Sequence, residues 1–113
     1  MTEVRIILVT VPDHDTALRL ARRVTEEKLA ACVNVLPGLT SVYEWEGKIC
    51  EDSEELLVIK TTSDLTVDLL RLVEKEHPYD VPEGLAIPVA AGLDGYVKWV
   101  GDVTRGGAGR EDA

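Results

Sequence analysis

The stretch from Leu29 to Thr62, LAACVNVLPGLTSVYEWEGKICEDSEELLVIKTT, constrains this chain most. Two β-prone arms, Ala31–Trp45 and Lys48–Thr61, flank the tight-turn sequence Glu46-Gly47. Tyr43, Trp45, Ile49, Val58 and Ile59 suit a pleated, half-buried surface. Gly47 supplies the positive φ that a short hairpin turn needs. An arm of about fifteen residues spans about 50 Å at roughly 3.3 Å per residue. A compact chain of this length has a radius of gyration near ~13 Å, so a diameter of about 35 Å. The hairpin therefore overhangs its own domain unless it bends, and Pro37-Gly38 offers a bend or bulge. Overhanging strands leave unpaired edges, which natural proteins cover. The simplest cover is another copy of the chain, so the hairpin predicts a homo-oligomer.

The 113 residues suffice for one core, with 45% apolar and 29% charged residues. No apolar run approaches the roughly twenty residues of a membrane span, and no signal-peptide pattern is visible. The net charge of −9 repels phosphate backbones and argues against nucleic acid as a partner; it is compatible with cations. Two cysteines, Cys32 and Cys50, make no disulfide framework. A hairpin turning at Glu46-Gly47 sets Tyr43 opposite Cys50 and Thr61 opposite Cys32. The thiols are then far apart, and both are expected to be reduced in a cytoplasmic protein.

Around the hairpin the pattern is regular. Glu3–Val11 (EVRIILVTV) is a near-continuous apolar strand ended by Pro12. Asp13 is the expected N-cap of a helix reaching about Lys28, with Ala17, Leu20, Ala21 and Val24 on one face. After the hairpin, Ser63 or Asp64 caps a second helix to about Glu76, striped by Leu65, Leu69, Leu72 and Val73. HPYDVPEG (His77–Gly84) is a loop, and LAIPVA (Leu85–Ala90) a short strand whose Pro88 suggests an edge. Leu93, Tyr96, Val97 and Val100 mark a last helix. The expectation is a single α+β domain over residues 1–104, with 105–113 a disordered tail. The order β-α-β-β-α-β plus a C-terminal helix is the split βαβ, ferredoxin-like arrangement, with two helices on one face of an antiparallel sheet. Its other face lies open to water or to neighbouring subunits.

The motifs LAACVN, LPG-TS-YEWEGKI, LLVIKT, HPYDVPE and the late Tyr96/Trp99 pair resemble the CutA divalent-cation tolerance family, over roughly residues 3–101. The resemblance implies a ferredoxin-like homotrimer, similar in fold and assembly to PII-type signalling proteins, whose hairpins pair edge to edge. It also implies copper or other divalent-cation binding. Family metal ligands transfer in part. The HPY histidine is His77 and the LAAC cysteine is Cys32. A first-strand cysteine found in some members is Val9 here, and a histidine preceding the HPY motif is Glu76.

His77, with Glu76 beside it and Cys32, is thus the candidate metal set, since imidazole suits copper-type ions. Alternatively, His77 ends the second helix by bonding backbone carbonyls, and Cys32 is a buried, inert thiol. Cys50 follows the turn and precedes acidic residues, which do not activate a thiol. Asp13 and His14 read as a cap and an exposed neighbour. Glu51–Glu55 lacks the spacing of a calcium loop and reads as a solvated edge strand.

A second constellation is Tyr43, Trp45, Lys60, Tyr79, Glu83 and Trp99. These residues either line an intersubunit pocket for a small anion or nucleotide-like metabolite, as in a PII-like sensor, or pack the subunit interface. Lys60, late in an apolar strand, needs a partner, and Glu83 is the expected one. No nucleophile–base pair, phosphate-binding glycine loop or C-x-x-C motif is present, so the chain gives no argument for an enzyme.

Overall fold

β1 (Val4–Val11) carries its apolar run through the middle of a four-stranded antiparallel sheet of order β2-β3-β1-β4. The computed structural model describes residues 3–105, and the expected tail from 106 onward lies outside the described residues. Arg105 itself is tied down, its N–H donating to the Lys28 carbonyl at 2.7 Å.

α1 (His14–Glu26) begins where Asp13 accepts a hydrogen bond from the Thr16 N–H at 2.8 Å. That bond satisfies one of the donors a helix start leaves open. β2 (Cys32–Trp45) and β3 (Lys48–Thr62) form the long hairpin. Positive φ at both Glu46 (51°) and Gly47 (79°) makes the two-residue turn whose twist matches the flanking strands.

Pairing starts from Trp45 opposite Lys48 and places Tyr43 opposite Cys50, as the turn position predicts. Nearer the base the expected register fails. Cys32 pairs with Lys60, not Thr61. Between Leu36 and Leu39, β2 advances one residue more than β3, with Gly38 at φ 82°. This bulge at Pro37-Gly38 shifts everything below it by one position. It sets a thiol beside an ammonium.

The second helix also starts differently from expectation. Ser63–Leu65 forms a short 3₁₀ turn, and α2 (Thr66–Glu76) follows with Leu65 as its N-cap. Neither Ser63 nor Asp64 caps it. The Thr62 hydroxyl bonds Asp64 and the Thr66 hydroxyl bonds the Thr62 carbonyl, so the local polar groups close the entry turn instead.

Ile7, Val9 and Val11 of β1, Leu57 and Ile59 of β3, Leu20 and Val24 of α1, and Leu69 and Val73 of α2 form one buried cluster. It is aliphatic, because the chain has no Phe and its Tyr and Trp residues lie elsewhere. β4 (Leu85–Pro88) pairs with β1 at the sheet edge, where a proline costs no ladder bond. α3 (Asp94–Val103) lies on the other face. Val100 is buried outside the main cluster, and Tyr96 meets Cys32, whose side chain points away from α1 and α2. Part of the face expected to be open is therefore covered from within.

β1 reaches only as far as Glu55 along β3. Beyond it the hairpin runs on alone, and the described chain measures 51 × 26 × 22 Å with a radius of gyration of 15.0 Å. The overhang expected from arm length is present.

Candidate functional site

His77 ends α2 and is 7% exposed. Its Nε2 bonds the Thr10 carbonyl at 2.8 Å, and its Nδ1 accepts the Tyr79 backbone N–H at 3.1 Å. A carbonyl can only accept and an N–H can only donate, so the ring is the neutral Nε2–H tautomer with both nitrogens engaged. It ties the HPY loop to β1. Glu76 faces α1 instead, pairing with Arg23 at 2.9 Å and Arg19 at 3.6 Å. Cys32 lies on the opposite sheet face, 3.9 Å from the Lys60 ammonium. The structure does not bring His77, Glu76 and Cys32 together. Among the described residues no three His, Cys, Asp or Glu side chains are grouped to hold a metal ion. Val9, the position of the additional family cysteine, is fully buried in the core.

The aromatic constellation divides in two. Tyr43, Trp45, Tyr79 and Glu83 come together in a cleft of about 690 Å³ between the distal hairpin and the HPY loop. Lys60 and Trp99 do not join them. Lys60 donates to Asn34 and approaches Cys32, so its partner is Asn34 rather than Glu83. The register shift pairs Lys60 with Cys32, and Asn34 lies two residues along the same strand face. Trp99 packs on Tyr96 with ring centroids 5.6 Å apart. Burial, followed by contact with Cys32, raises the Tyr96 pKa.

Asp52, Glu54 and Asp80 complete the cleft wall. Sequence reading took Asp52 and Glu54 for part of a solvated edge. The signal that places them was available: with the turn at Glu46-Gly47, Cys50, Asp52 and Glu54 share a face with Tyr43, because strand side chains alternate. The Tyr43 hydroxyl donates to Asp52 and the Tyr79 hydroxyl to Glu54, the latter at 2.8 Å. The bond to Asp52, then burial, pushes the Tyr43 pKa up to about 12. Burial, then the bond to Glu54, pushes Tyr79 up as well. Both phenols stay protonated donors at neutral pH. The cleft is therefore a concave, aromatic, acidic surface. It can orient a ligand.

The profile of the family described as "CutA1 divalent ion tolerance protein" matches residues 5–103, nearly the whole chain. This chain belongs to that family.

Among its relatives, the "Divalent-cation tolerance protein CutA" of Thermus thermophilus is 46% identical over 99 residues, covering 88% of this chain and 96% of that protein. The "Protein CutA, chloroplastic" of Arabidopsis thaliana is 50% identical over 100 residues, 88% of this chain. The chain spans only 55% of that plant relative's length. The crystal structure of CutA1 from Oryza sativa superposes with a TM-score of 0.89 at 47% identity, covering 91% of this chain and 94% of that one. Membership thus rests on the fold together with the sequence. The α+β architecture expected from element order is the family's. One relative is named chloroplastic, so family membership does not fix the compartment. Among the described residues no helix is long and apolar enough to cross a membrane.

Proposed function

We propose that the protein serves divalent-cation tolerance as a cytoplasmic homotrimer, a binding protein rather than an enzyme. It takes up copper or a similar ion with ligands drawn from more than one subunit. The family match over residues 5–103 carries the tolerance reading. Assembly is supported by the overhanging hairpin, by exposed Ile49 on its distal half and by exposed Leu85 and Ile87 on the edge strand β4. His77, Glu76 and Cys32 each engage different partners within the chain, which favours a shared site over one within a chain. Copper at His77 must displace either the Thr10 or the Tyr79 hydrogen bond, which keeps affinity low.

Calorimetric titration of Cu(II) into wild type and His77→Ala tests this directly. The expected result is saturable binding with fewer than one ion per chain, lost in the variant. Absence of saturable binding would remove copper from the function.

The cleft favours a second reading, a PII-like sensor that holds a small metabolite. Its volume lies within the roughly 300–1,000 Å³ of ordinary ligand pockets. Since Lys60 lies outside the cleft, Lys60→Ala is expected to leave ligand binding there unchanged, whereas substitution of Tyr79 weakens it.

A further inference from the structure

The cleft's charge says what it takes. Its charged lining residues are Asp52, Glu54, Asp80 and Glu83, with no Lys, Arg or His among them. Elsewhere on the chain some acidic groups are paired, Glu3 with Arg5, Glu27 with Arg23 and Arg105, Glu55 with His14, Glu76 with Arg23 and Asp102 with Lys98, and others, such as Glu26, Glu74 and Asp94, are exposed to water. Among the described residues none of the four cleft carboxylates has an ion-pair partner. Glu54 is the extreme case. It is 8% exposed, yet the partner seen for it is the neutral Tyr79 hydroxyl. A carboxylate withdrawn that far from water is costly unless a cation accompanies it.

This arrangement repels anions, so it does not suit the small anion or nucleotide-like ligand that the aromatic residues and Lys60 suggest from sequence. It does not suit a bare metal ion either, because no three of these side chains are grouped to coordinate one. Dispersed carboxylates around Tyr43, Trp45 and Tyr79 match a larger cation, whose charge is spread over several atoms and which packs against ring faces. A net charge of −9 raises the local concentration of such a ligand.

We propose that the cleft between the distal hairpin and the HPY loop is a binding site for a small organic cation bearing ammonium groups. Glu54, Asp80 and Glu83 supply charge, and Trp45 and Tyr79 supply the aromatic walls. The proposal rests on the reading that the cleft holds a small ligand, and it names that ligand's class.

The test is calorimetric titration at physiological ionic strength with spermidine as the probe. Glutarate serves as the matched anion and Mg(II) as the compact cation. Glu83→Gln and Trp45→Ala are titrated in parallel, with light scattering to confirm that assembly is unchanged. Glu83 is exposed, so its substitution does not disturb the core. The expected result is saturable spermidine binding, about tenfold weaker in Glu83→Gln, as for loss of one charge-assisted contact. Binding should also weaken in Trp45→Ala, with Mg(II) failing to displace the probe. Glutarate binding without spermidine binding would overturn the ligand class while leaving the cleft a ligand site. Binding of neither would overturn both. Spermidine binding indifferent to both substitutions would show general attraction to an acidic surface and overturn the proposal.

Discussion

The two halves of β3 differ more than any two elements of this molecule. From Glu55 to Thr62 the strand lies between β1 and β2, under α1 and α2, and alternate residues Leu57, Ile59 and Thr61 are fully buried. From Lys48 to Glu54 it has β2 alone for a neighbour, and Ile49 is 71% exposed. The basal half is rich in strand-forming residues and the distal half, KICEDSE, is mostly polar, yet both are strand; their partners separate them further. A hairpin half with exposed apolar residues and two bare edges is a surface that another copy of the chain would complete.

The largest effect expected along this contrast is in the buried half. Ile59→Ala leaves a cavity where the sheet meets the helices and should cost about 2–5 kcal/mol in denaturant unfolding. Ile49→Ala, on an isolated subunit, should stay within about 0.5 kcal/mol. A larger loss at Ile49 would show that another chain covers it, which is the outcome the account expects.

Next in size is the dependence on concentration. If copies complete the distal hairpin, dissociation and unfolding are linked, and the melting temperature should fall on hundredfold dilution. The fall should vanish in Ile49→Asp, whose charge is incompatible with a covered edge. A melting temperature independent of concentration would confine the stability to single subunits.

A smaller effect belongs to the helix side. The Thr16 N–H bond holds the Asp13 carboxyl below its ordinary range. A depressed carboxyl contributes stability above its unfolded pKa and loses it as pH falls through the lower, folded value. Asp13→Ala should therefore lower the melting temperature at neutral pH and converge with wild type in strong acid. A constant gap between the two proteins down to low pH would contradict this.

Smallest is a spectroscopic effect on the hairpin side. All three tyrosines are raised, Tyr43 to about 12, so ultraviolet titration should show little phenolate until pH exceeds the ordinary tyrosine value near ~10. Asp52→Asn should bring one tyrosine down. If a tyrosine of the wild type titrates at the ordinary value, one of these contacts is absent in solution.

The fold was legible because hydrophobic period and turn chemistry agree. The continuous run of β1, the amphipathic stripe of α1 and the Glu46-Gly47 turn each admit one reading. What the sequence left ambiguous lay where a single residue changes the register. Pro37-Gly38 signalled a bulge, but not which strand gains the residue or by how much. That shift set Lys60 opposite Cys32. The start of α2 differs from expectation because Thr62, Ser63 and Asp64 all offer capping oxygens, and sequence alone does not decide which donors they satisfy. In the cleft, Tyr43, Trp45 and Tyr79 lie together, and Glu83 joins them without the Lys60 expected beside it. Asp52 and Glu54 are masked by their acidic neighbours in EDSEE, a run that reads as uniformly solvated unless strand alternation separates its two faces. His77 shows the opposite case. The motif singled it out, but only coordinates reveal that both ring nitrogens are committed to backbone.

The central claim is that the distal hairpin is completed by other copies of this chain. Size-exclusion chromatography with light scattering at micromolar concentration tests it most directly. A mass three times that of the 12.4 kDa chain is predicted. A mass of one chain, unchanged on concentrating the sample, would contradict it.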